Sequence, residues 1–206
     1  MVNLFKSSDT VEDREAIWRS HGWGPPWKFP ATRAGGTPLV LSLRVPVAWK
    51  AMDVMKMPAE VASTNGSLAQ AVATLAHGIE AAGVVAIMGI GHELPREGKP
   101  DAQLFVLLSI ALKDAHGPLP DAIPGADLEP VEFKHEAGNY RGVRIRRVTD
   151  AAVLPEHPPQ PVLSTQYLLK TRHGVLACTF TTPQVVVFEK LSPLLDKIAA
   201  GCHLDG

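Results

Sequence analysis

Few side chains in this sequence stand at spacings that do chemistry. Gly89-Ile-Gly-His-Glu-Leu94 opens like a dinucleotide-binding turn. The third glycine is missing, and Pro95 and Pro100 work against the following helix whose N-terminus would hold a pyrophosphate. A simple turn is the competing reading. His92 and Glu93 could form an acid/base pair, or a solvated bend. Eight histidines are scattered with no i, i+4 pair, and Cys202-His203 is the one Cys/His neighbour pair. A closed zinc site needs four ligands, usually as two close pairs, so no metal is expected. No Gly-x-Ser-x-Gly elbow places a serine nucleophile on a strained turn. No cofactor and no catalytic residue are therefore expected.

Charge carries more information. Residues 114–132 hold five acids and no Lys or Arg, whereas residues 134–147 hold Lys134, Arg141, Arg144, Arg146 and Arg147 against Glu136. Arg144 and Arg146 alternate with Val143 and Ile145, so both arginines leave one face of a strand. Lys170 and Arg172 come from the next hairpin and could extend the patch. One reading is a surface for an anionic or acidic partner. The other is an edge strand guarded by charge and partly neutralised by the chain's own acidic loop. A second candidate surface is Trp23, Trp27 and Phe29 within a Pro/Gly-rich segment. Tryptophan anchors interfaces well, and it serves equally to pin an arm onto its own domain.

The elements that position these residues follow from pattern. Residues 1–36 read as an N-terminal arm, with a short helix over 9–20 that Asp9 and Glu12 can cap, then Trp/Pro-rich chain. Residues 37–206 read as one domain. Leu39, Leu41, Leu43 and Val45 alternate as a half-buried strand. Leu68, Val72, Leu75 and Ile79 predict a helix from Ser67 to Ala82, with Gly83 placed to end it. Val84–Gly89 and Leu104–Leu112 are almost continuously apolar, the mark of strands covered on both faces. A Pro/Gly-rich loop separates them from the strand at 140–148. Val162–Lys170 and Val175–Thr181 form a hairpin around Thr171–Gly174, with Cys178 facing the core. Phe188, Leu191, Leu194, Leu195 and Ile198 stripe a closing helix, which Pro193 either kinks or begins anew after Ser192. The expected fold is an α/β domain of the α+β type, a mostly antiparallel sheet flanked by helices on both faces.

Two stretches support a resemblance. Leu41-Ser-Leu-Arg-Val-Pro-Val-Ala-Trp49 is similar to the opening strand and Pro-x-x-Trp turn of the PsbP-like family of α/β/α sandwiches, which includes Mog-like and LpqN-like proteins. Gln166–Pro183 with Phe188–Leu204 resembles that family's closing hairpin and helix. The resemblance implies a protein-binding role and transfers no site residues, because the family shares none that are catalytic.

Bulk properties bound the rest. A net charge of −1 speaks against nucleic acid, and two cysteines suit a reducing compartment. No apolar run approaches the roughly 20 residues a membrane-spanning helix needs. The sequence thus points to a cytoplasmic, non-catalytic protein-binding or adaptor protein, with a protein partner or self-association and neither nucleic acid nor membrane. Arg141, Arg144, Arg146, Lys170, Arg172, Trp23 and Trp27 are the candidate contacts. A small enzyme with its site under the 114–132 loop is the alternative.

Overall fold

In the computed structural model, residues 22–32, 38–46, 50–52, 86–94, 102–113, 117–135, 138–151, 158–182 and 192–205 are described. Among them the elements run β1 (Trp27–Thr32), β2 (Pro38–Leu43), β3 (Lys50–Met52), β4 (Ala86–Leu94) and β5 (Ala102–Lys113). There follow β6 (Asp127–His135), β7 (Gly138–Ala151), β8 (Gln160–Thr171), β9 (Gly174–Thr182), α1 (Ser192–Ala200) and β10 (His203–Asp205). Every strand pairing is antiparallel. They build two sheets, a small one ordered β1-β2-β10 and a seven-stranded one ordered β3-β4-β5-β9-β8-β7-β6.

The strand expectations mostly hold, and the helical layers do not. The continuous burial expected of the second apolar run is present: Val106 to Ile110 of β5 are all buried. Val106, Leu108 and Ile110 face a core shared with Leu39, Leu41 and Leu43 of β2, Leu195 and Ile198 of α1, and Leu204 of β10. One face of the large sheet is therefore covered by a second sheet and one short helix. On the other face Leu119, Ile123 and Ala126, from the Pro-rich loop, pack over Ile145, Leu168, Val175 and Ala177. The α/β sandwich flanked by helices on both faces is thus corrected to a mainly antiparallel β architecture of two sheets. The physical reason is that burial needs an apolar cover of any kind. A continuous apolar strand reports that both sides are dry without saying whether helix, sheet or loop dries them. The helices read over 9–20 and 67–82 lie outside the described residues.

Two local corrections follow. Gly89–Leu94 is not a turn: it continues β4, paired with β5 from Ala86↔Ile110 to Leu94↔Ala102. The long loop ends at Ala126, since Asp127 already belongs to β6. The closing helix is described over Ser192–Ala200, with Pro193 in its first turn, while Phe188 and Leu191 of the expected stripe lie outside the described residues. The hairpin around Arg172–His173 is as expected, with Thr171 facing Gly174. Part of the N-terminal segment is built into a sheet: Trp27–Thr32 pairs residue for residue with Leu43–Pro38.

Candidate functional site

Period-two alternation puts Arg144, Arg146 and Val148 of β7 on the face that looks toward α1. Register brings neighbours to each. Arg144 stands between Glu129 and Tyr167, and Arg146 between Asp127 and Thr165. Two residues of strand advance about 6.6 Å, and four residues of helix about 6.0 Å. Arg144 and Arg146 therefore match Asp196 and Ser192, one helical turn apart, and both pairs form.

The two arginines end in different states. Arg144 Nη1 donates to Asp196 Oδ1 and Oδ2 at 2.7 and 2.9 Å, and its Nη2 donates to Glu129. Tyr167 Oη donates to the same Asp196 Oδ1 at 2.7 Å. Burial by itself would lower the Arg144 pKa, but the hydrogen bonds it donates to Glu129 and Asp196 outweigh it and hold the guanidinium charged. The Arg144 hydrogen bond and charge hold Glu129 below the usual carboxylate range, with a smaller contribution from Arg146. Burial first, then the Asp196 carboxylate, pushes the Tyr167 phenol up. With its side chain 11% exposed, Arg144 is a structural clamp between α1 and the sheet.

Arg146 is the accessible member. Its Nη2 donates to Ser192 Oγ, and the side chain lines a cleft of about 460 Å³. Arg147, Val148, Thr165, Ser192 and Asp127 also line it, with Gly125 and Ala126 at one rim. That rim is a tight turn: Ala126 N donates to Ile123 O at 3.2 Å, with Pro124 second and Gly125 third at φ +70°. Proline then glycine in the left-handed region is the type II pattern. Arg147 Nη2 donates to Pro124 O at 3.1 Å and holds the turn in place. The cleft thus lies where the 114–132 loop returns to the sheet.

The other sequence candidates do not join it. Arg141 pairs loosely with Glu132 at 3.5 Å, both strongly exposed, so the pair contributes little. Lys170 is exposed near the end of β8, and Arg172 sits at the hairpin tip, its Nε donating to His173 Nε2 at 2.8 Å. Trp27 packs half-buried against the shared core, while Trp23 is 43% exposed and bridges to Pro46. From Gly142 to Arg146, β7 is paired on both sides, so Arg144 and Arg146 do not guard an edge. Sequence reasoning missed Ser192, Thr165, Arg147 and Val148 as cleft residues. The usable signal was the Ser192/Asp196 spacing on a helix laid over an alternating arginine strand.

Among the described residues no group of three or more His, Cys, Asp or Glu is placed to hold a metal ion. None of their helices is long and apolar enough to cross a membrane. No family model matches the chain, and comparison with curated proteins and with solved structures likewise finds no match.

Proposed function

We propose that this chain is a non-catalytic protein-binding module, working in the cytoplasm, whose cleft beside α1 takes an acidic group of a partner protein. The observation that carries this is the convergence of Arg146, Arg147, Thr165 and Ser192 on one cleft, with Arg144 already committed to Glu129 and Asp196. The cleft's charged lining is two arginines and Asp127, a local excess of one positive charge in a chain whose net charge is −1. Recognition is therefore short-range, through charge-assisted hydrogen bonds rather than long-range steering. A hydrogen bond to a charged group contributes about 1.5–3 kcal/mol, so losing one weakens binding roughly tenfold to a hundredfold.

The test is a titration of isotope-labelled protein with a Glu-rich peptide, followed by amide chemical shifts. Expected are shifts centred on Arg146, Arg147, Thr165 and Ser192 that shrink with salt and vanish in Arg146→Gln/Arg147→Gln. Equal binding of a Lys-rich peptide, or acidic-peptide shifts confined to another face, would overturn the reading.

A further inference from the structure

The margin of the large sheet beside this cleft is uneven. β6 pairs with β7 only from His135↔Gly138 to Asp127↔Arg146. β8 stays with β7 further, to Ala151↔Gln160. Beyond Arg146, β7 has no strand on its β6 side among the described residues. The turn at Ile123–Ala126 is the cause, because it leads the chain away from the line that β6 would otherwise continue. Arg147, Val148, Thr149 and Asp150 are all exposed, Val148 at 54%, so both faces of this stretch are open to solvent.

The contrast with β6 is informative. The outer edge of β6 carries Pro130, which cannot donate to a ladder, and the charges Glu129, Glu132 and Lys134. Those are the devices that keep a sheet edge from pairing. The β7 margin carries no proline and presents Val148 and Thr149, residues that favour strand pairing, between Arg147 at its start and the single acid Asp150 near its end. Charge then selects the occupant. Arg146 and Arg147 start the margin on opposite faces of the strand, so acidic side chains on either face of an incoming strand meet a guanidinium.

We propose that an acidic, extended segment of the partner binds as an added β-strand along Arg147–Ala151, its backbone completing the ladder and its carboxylates reaching Arg146 and Arg147. This rests on the acidic-partner reading of the cleft and specifies how the partner is held. Successive residues of a strand turn their backbone groups to opposite sides, so only alternate residues of the peptide bond to β7.

The test uses three forms of a short Glu/Val-alternating peptide on the full chain: unmodified, N-methylated at odd residues, and N-methylated at even residues. Binding is read by fluorescence anisotropy, and amide exchange is followed over 147–151. Expected is that one methylated form loses about tenfold or more while the other binds like the parent. Alternate amides of 147–151 should slow their exchange. If both methylated forms bind like the parent and Arg146→Gln/Arg147→Gln still abolishes binding, strand addition is overturned while the acidic cleft stands. If no acidic peptide binds, the underlying reading fails with it. A peptide-free dimer that Val148→Asp dissociates would assign the margin to a second copy and overturn the proposal.

Discussion

Tyr167 shows what a single side chain does in this structure. Its ring is fully buried, meeting Phe180 edge-on at 5.9 Å and Phe133 at 6.0 Å, while its hydroxyl holds Asp196. Tyr167→Phe keeps the packing and removes one bond to a carboxylate, so urea unfolding at neutral pH should register a loss of about 1–3 kcal/mol. The same group sets an alkaline limb. Its folded pKa lies above the ordinary value of 10.0, so the unfolded chain ionises first. The stability it contributes is complete below that value and declines as pH rises beyond it. The Phe variant should show a flatter decline above pH 10, and an unchanged slope would remove Tyr167 from the account. Glu129 works in the opposite direction. Held below its ordinary 4.5 by Arg144, it contributes above that pH and loses its contribution as pH falls through and below it. Glu129→Gln should lower stability at neutral pH by the same small amount by which it flattens the acid limb below pH 4.5, small because Glu129 is largely exposed.

At the scale of elements, the β7–β8 ladder positions Arg146, Arg147, Val148 and Thr165 of the site, and one glycine permits it. A Cβ at Gly142 would lie 2.3 Å from the Leu168 carbonyl oxygen and 2.8 Å from Leu169 Cδ2. Backbone cannot yield as a flexible side chain can, so Gly142→Ala should cost roughly 1–3 kcal/mol or more and separate the strands locally. Early amide exchange in β7 and β8 would report it. Gly125 has open space around it but sits at φ +70°, so Gly125→Ala should cost about 1 kcal/mol through backbone strain alone. Period-two patterns identified β2, β7, β8 and β9 because each has one polar and one apolar face, or a clear turn at its end. They failed at Gly89–Leu94, where two glycines and a His-Glu pair look like a turn yet lie in β4, since pairing with β5 overrides weak local propensity. The arginine stripe was visible, but its destination was not. Whether Arg144 and Arg146 face solvent or a helix depends on where α1 docks, and that contact spans 52 residues between Arg144 and Asp196.

At the scale of the molecule, the question is whether the two sheets are one cooperative unit. Sequence pattern could count apolar faces but could not pair them. β1, β2 and β10 come from opposite ends of the chain and meet only in the folded state. Their inner face shares one contiguous core with α1 and the seven-stranded sheet, including Leu41, Leu108, Phe180 and Ile198. Cys178 of β9 and Cys202 just after α1 belong to that core, 0% and 1% exposed, and both are free thiols. A hydrogen bond with Cys178, together with burial, pushes the Cys202 thiol up, so neither protonated form nor access favours reaction in the folded protein. These thiols therefore report any separation of the sheets. Because the core is continuous, lifting the small sheet with α1 exposes apolar surface on both sides at once, which makes a partial opening nearly as costly as unfolding. Both thiols should react with an aromatic disulfide reagent at one common rate, with the denaturant dependence of global unfolding. Labelling of Cys202 ahead of unfolding, with a shallow denaturant slope, would mean that β1, β2, β10 and α1 open as a separate unit. The cleft, whose Ser192 wall belongs to α1, would then open with them.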